Sequence, residues 1–271
     1  MKKRIYISNV ILSLGLLSAC SAETETEKTS IEQPSKSEGE TLTVQDQESN
    51  GEQIASEQID DLTQEEVLSA IKDQISTTNF DIVLPDKLPI TTDQHLTATT
   101  SSESTTYQIT FFVTDEPVPI NNAALFDGHT KKEKLATLLV NDYKDQEGQA
   151  ETKVAFEDYA KVGGEEVDLG HDITGYQDAG VGNLWTSWNE GRWSLATHTS
   201  IEQPEKGVDL GRKAVDYLET HRLPIPKQHG SIRLDATSEN HYAIWAKGSV
   251  VYELSEVQSA MDLLEIVVHF Q

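Results

Sequence analysis

An α+β domain, with an antiparallel sheet packed by helices, is the fold class this 271-residue sequence predicts. Three observations carry it. A capped amphipathic helix begins near residue 62. Two segments rich in Thr and aromatic residues read as a β-hairpin. Two blocks in the C-terminal half each read as a hairpin followed by a helix, and are expected to be related units. There is no regular series of alternating strands and helices, the mark of a parallel α/β sheet.

Thr63-Gln64-Glu65-Glu66 is a capping-box pattern, in which the Thr hydroxyl accepts from an early helix N–H and Glu66 reaches back. Val67, Leu68, Ile71 and Ile75 follow at helical spacing, so the helix ends between 76 and 79. Phe80 to Pro85 and Leu88-Pro89-Ile90 read as extended chain, because Pro lacks a ladder donor and holds its predecessor extended. His95 to Thr100 and Thr106 to Thr114 suit two strands of a hairpin separated by the polar Ser101 to Thr105. Pro117 and Pro119 end it. Leu135 to Tyr143 fits a helix or a strand, and residues 145–161 are equally open. Gly163-Gly164 marks a turn before short strands at Val167 to Leu169 and Ile173 to Tyr176.

The first C-terminal block contains Trp185, Trp188, Gly191, Trp193 and Leu195, then Pro204 and an amphipathic stretch to His221. The second contains Tyr242, Trp245, Gly248, Tyr252 and Leu254, then Ser255 and an apolar stretch to the C-terminus. Both share Trp-x-x-Gly, an aromatic residue with Leu two positions on, and a helix. The Gly-to-aromatic distance differs by two, so the correspondence is partial. Glu190-Gly191 and Lys247-Gly248 are read as the turns. Pro204 suits a first helical position, with Leu210, Ala214 and Leu218 facing inward. Ser255 is read as the N-cap of the second helix, whose buried stripe is Met261, Leu264 and Val268 with Leu263 and Val267.

Strand aromatics at period two fill a core in the bland reading; in the functional reading they line a cleft suited to sugar rings or apolar ligands. Trp185 and Trp188 lie three apart, so on a strand they face opposite ways and at most one lines such a cleft. Trp193 shares its face with Leu195 and is expected in the core. Trp188 and Trp245 are the candidate ligand-binding residues, Trp188 being the better placed for exposure. Glu190, Asn189 and Arg192, beside the turn, are expected to be solvated.

Chemistry is otherwise scarce. The sequence has 21 basic and 46 acidic residues, a formal charge of −25, which argues against a nucleic-acid partner and against electrostatic docking on an anionic membrane. A single Cys rules out an internal disulfide framework and multi-Cys metal sites. No nucleophile elbow, His-Glu-x-x-His pair, EF-hand loop or phosphate-cradling Gly loop is present. His171-Asp172 is the one adjacent pair with the makings of a general base and its orienter. No catalytic residue, metal or cofactor is assigned.

The N-terminus is more informative. Lys2, Lys3 and Arg4 precede an apolar stretch from Ile5 to Leu17 that is too short to span a bilayer comfortably, which takes ~20 apolar residues. It has the form of a secretory signal. Leu17-Ser18-Ala19-Cys20 follows, and resembles the lipobox of bacterial lipoproteins. The resemblance implies cleavage between Ala19 and Cys20, and a diacylglyceryl thioether on Cys20 as the membrane anchor. Two acyl chains suffice for stable anchoring where one does not. Residues 21–61 hold 12 acidic and two basic residues and no aromatic, and are expected to be a disordered, self-repelling spacer.

Residues 163–226 are also similar to uncharacterised lipoproteins of Gram-positive bacteria, through Val167-Asp168-Leu169-Gly170, Ile173-Thr174-Gly175-Tyr176, Trp188 to Trp193 and Tyr217-Leu218-Glu219. This implies a location on the extracytoplasmic face of the cell membrane and no established activity. The expected organisation is a signal peptide at 1–19, a lipidated linker at 20–61 and one domain at 62–271. The expected function is a non-catalytic binding or interaction module. A ligand carrier with an aromatic cleft is the alternative, and a cell-envelope hydrolase the third reading.

Overall fold

The computed structural model describes residues 62–75, 78–144 and 147–270. The expected signal peptide, with Ala19 and Cys20, and the expected acidic spacer lie outside the described residues. What is described is a mixed α+β domain, a ten-stranded, mostly antiparallel open sheet with five helices.

Helix α1 (Gln64–Gln74) starts as its sequence dictates: Thr63 Oγ1 accepts from Glu66 N at 3.3 Å, and Thr63 N donates to Glu66 Oε2 at 2.8 Å. The first hairpin is longer than expected. β1 (His95–Glu103) and β2 (Thr106–Thr114) leave only Ser104 and Thr105 in the turn, because Ser101 and Ser102 continue the ladder. Leu135 to Tyr143 resolves as a strand in all but its last residue, part of β3 (Lys132–Asp142), where alternate residues Ala136, Leu138 and Val140 are buried. Two short helices follow, α2 (Glu147–Lys153) and α3 (Tyr159–Val162). β4 (Glu165–Asp168) starts two residues before the predicted strand at Val167 to Leu169, and β5 (Thr174–Gly180) runs four residues past the one predicted at Ile173 to Tyr176.

The next units are β6 (Asn183–Glu190), β7 (Trp193–Ser200) and α4 (Pro204–Leu218), then β8 (Gly230–Asp235), β9 (His241–Lys247), β10 (Val250–Val257) and α5 (Ala260–Val268). β6–β7 and β9–β10 are hairpins, each followed by a helix. Their two-residue turns are Gly191-Arg192 and Gly248-Ser249, one position later than predicted, with the glycines at φ 58° and 72°. The cap of α5 is a correction: Ser255 is still in β10, and Ser259 accepts from Met261 N and Asp262 N. β10 runs on because a bulge between Leu254 and Val257, with Glu256 at φ 55°, absorbs the extra length.

The sheet order is β1-β2-β3-β10-β9-β8-β7-β6-β5-β4. Only β7 and β8 pair in parallel, as a crossover through α4 requires. Register places Tyr107, Val140, Tyr252, Trp245, Gly230 and Trp193 in one row across six strands, on one face. A neighbouring row on that face runs Ile109, Leu138, Leu254, Ala243, Ile232, Leu195 and Trp188. These belong to the same buried cluster as apolar residues of α1, α4 and α5. On the opposite face, Ala150 of α2 and the nearby Val154 pack with Ala246 and Val251 in a second, smaller cluster.

The two ends of the sheet differ. Beside β1, Asn121 (φ 59°) donates its N–H to Ala98 O at 2.9 Å, accepts from Thr100 N at 2.7 Å and donates through Nδ2 to Thr100 Oγ1 at 2.9 Å. At the other end β4 has four residues, three of them acidic: Glu165, Glu166 and Asp168.

Candidate functional site

Alternation along the strands decides which side chains look away from α1, α4 and α5. Where Leu195 and Ile232 face the large core, Ala196 and Arg233 face the other side, paired in register with Tyr242 and Ser187. Tyr176 and Trp185 share this second face through pairings with Ser187 and Asp178. The segment leading into α3 forms the facing wall. It is held by Asn189, whose Oδ1 accepts from Tyr159 N at 2.9 Å and whose Nδ2 donates to Glu157 O at 2.8 Å. Between them lies a cleft of about 300 Å³ lined by Tyr159, Tyr176, Trp185, Arg233 and Tyr242, with Glu157 and Asp178 as exposed carboxylates on its walls.

Arg233 is the unusual member. Its guanidinium carbon sits 4.2 Å from the centre of the Trp185 ring. Its Nε is buried with no hydrogen-bond partner. Among the described residues no carboxylate forms an ion pair with it. An unsatisfied buried donor costs about 1–3 kcal/mol, and the stacking returns about 0.5–1 kcal/mol at a partly exposed site. One donor of the group is therefore buried without a hydrogen bond to offset it.

The rest of the wall is firmly built. The Trp185 and His198 rings lie 4.5 Å apart. His198 Nδ1 meets Asp235 Oδ2 at 2.7 Å and Nε2 meets Asn183 Oδ1 at 2.7 Å. Burial acts to raise the Asp235 pKa, but hydrogen bonds from Thr237 N, His198, the Thr237 hydroxyl and Ser238 outweigh it and hold the carboxyl at about 2. Burial pushes the Tyr159 hydroxyl up, against a hydrogen bond to Ser187. Trp185 thus has one neighbour on each of two strands, so it serves as a platform for Arg233 more than as a free stacking surface.

Trp188 and Trp245, the two tryptophans picked as candidate ligand residues, are corrected. Trp188 is fully buried, its Nε1 donating to Glu190 Oε1 at 3.1 Å, and burial raises the Glu190 pKa against that bond. Trp245 is 3% exposed and stacks on Tyr252 at 5.1 Å with an interplanar angle of 8°. Both sit in the large core because their strand positions are in register with Leu195 and Gly230. Trp193 is in the core, as expected. The turn residues are engaged: Arg192 Nη1 donates to Pro226 O at 3.1 Å and Lys227 O at 2.7 Å. His171 pairs with Asp216 at 2.7 Å, on α4, and not with Asp172. Sequence reasoning missed Arg233, although Ile232-Arg233-Leu234 carries the signal of a lone base facing away from two core residues.

A larger surface groove, of about 760 Å³, runs between α4 and the loop after β8, but its buried polar groups satisfy each other. His241 Nδ1 accepts from Asp235 N at 2.9 Å. Burial lowers the His241 pKa, opposed by the nearby charges of Asp235, Glu239 and Asp262 and by the Gln258 carbonyl. Above the usual value of 6.5 both folded and unfolded chains hold this His neutral. Below it the unfolded chain takes up the proton first, so stability falls as pH drops. His171 works in the opposite direction, because Asp216 raises its pKa. Thermal midpoints at pH 7.5 and 5.5 therefore separate more for the native chain than for His241→Gln. An equal separation would show that His241 does not drive the acid loss.

Among the described residues, no group of three or more His, Cys, Asp and Glu is placed to hold a metal ion, and no helix is long and apolar enough to cross a membrane. Comparison of the chain with protein-family models, with curated proteins and with solved structures gives no match.

Proposed function

We propose that the chain is an extracytoplasmic lipoprotein, anchored through a diacylglyceryl group on Cys20, whose domain is a non-catalytic binding module. The lipobox at 17–20 supports the anchoring, and the two hairpin–helix units are read as related copies of one building block. The observation that carries the binding reading is Arg233, kept unpartnered on Trp185 in an aromatic-walled cleft. A cleft-lining charge without an ion-pair partner fits a group that meets a ligand. The same cleft favours, as the second reading, a carrier that holds a small molecule at the membrane surface.

The two halves of the proposal separate experimentally. Cys20→Ala should abolish lipid labelling and leave the precursor uncut. Membrane retention of a mature, lipid-free chain would refute the anchor. Arg233→Met should leave thermal stability unchanged or raise it by up to about 1 kcal/mol, since the orphaned donor disappears. A loss of more than that amount would show Arg233 to be a structural residue and remove the support for a cleft.

A further inference from the structure

Resting on that reading of the cleft, we propose that its ligand is a small zwitterion with a free ammonium and a free carboxylate, of the size of an amino acid or a dipeptide. Arg233 brings to the cleft wall a guanidinium that forms no ion pair among the described residues, the group best matched to a carboxylate. Glu157 and Asp178 line the same cleft, exposed, and among the described residues neither carboxylate takes part in an ion pair. One cation and two anions in one small cleft are complementary to a ligand carrying both signs.

Charge on the whole chain sharpens the choice. With a formal charge of −25, the field of the protein repels free anions from solution. A zwitterion has no net charge, so it meets no such barrier and still delivers a carboxylate to Arg233. A sugar has less to gain at Trp185, whose ring already has Arg233 at 4.2 Å and His198 at 4.5 Å as neighbours. The volume of about 300 Å³ is at the small end for ligand clefts. Tyr159, Tyr176 and Tyr242 supply walls that take an apolar or aromatic side chain.

Titration of the full-length, ¹⁵N-labelled protein tests this, with the Trp185 indole and Arg233 Nε–H resonances as the readout. The probes are L-alanine, L-phenylalanine and alanyl-alanine, each beside its C-terminal amide and its N-acetyl form, with acetate, inorganic phosphate and glucose as contrasts. The expected result is saturable shifts with at least one zwitterion, reduced in both its amide and its acetyl form. Arg233→Met should then weaken binding roughly ten- to hundredfold, as loss of a charged hydrogen-bonding group does, and Asp178→Asn should weaken it for the zwitterion and not for its acetyl form. Binding of acetate, phosphate or glucose in preference to every zwitterion would overturn the ligand class and leave the cleft standing. No shift at either resonance with any probe would overturn the ligand class and the cleft reading together.

Discussion

Trp193→Ala lowers the stability of the domain by about 3–5 kcal/mol, the range for removing a large aromatic side chain from a packed interior. The expectation follows from what the ring does. It is 3% exposed, lies 5.9 Å from Trp245 and donates Nε1 to Pro224 O at 2.9 Å. Losing it opens a cavity at the β7 end of the row that ties β7 to β10, and leaves the Pro224 carbonyl without its donor. Thermal unfolding reads the change directly, as a fall in midpoint on the order of 10 °C for a domain of this size. A variant that unfolds within two or three degrees of the native protein would show that the ring is peripheral.

Gly230→Ala is expected to be nearly as damaging, at about 3 kcal/mol, the upper end for overpacking. Gly230 is paired in register with Trp193 on one side and Trp245 on the other. A Cβ built there would lie 2.3 Å from Cε3 of the Trp193 ring, which has folded over the glycine and occupies its space. The ring is pinned at its far end by Pro224 and cannot swing away without losing that bond. The two substitutions must therefore be strongly non-additive. In a Trp193→Ala background, Gly230→Ala should cost less than about 1 kcal/mol, because the clashing ring is gone. Additive losses in the double variant, measured by denaturant unfolding, would show that the ring and the glycine do not share the space.

Much of this architecture was readable before the structure, for identifiable reasons. The capping box at Thr63 and Glu66, the β1–β2 hairpin and the start of α4 at Pro204 are local signals, carried by residues close together in sequence. The opposite facing of Trp185 and Trp188 also follows from strand periodicity alone. What failed depended on neighbours distant in sequence. Trp188 looked exposable beside its turn; it is buried because α4, entering some fifteen residues later, brings Gly211 against its ring, a Cβ there lying 3.7 Å from Trp188 Cζ3. Ser255 looked like a cap because nothing local announces that β10 pairs onward with β3 through Ser255 and Thr137. Arg233 passed unnoticed because its meaning comes from what is missing around it, and partners from β6 and the 155–163 segment are assembled only by the fold.

The treatment of the sheet's two outer strands has a bearing on life at high local density. Under the anchoring proposed above, copies share one plane and meet far more often than they would in solution. A ten-stranded open sheet would then be a template for fibre growth, each copy adding its own strands to the last. Asn121 obstructs that route at one rim by engaging Ala98 O and Thr100 N of β1 from within the chain, in place of a second copy. Glu165, Glu166 and Asp168 close it at the other, because two such rims brought together would set like charges side by side. Both rims are therefore built against edge-to-edge growth, the property that dense packing of copies in one plane would require.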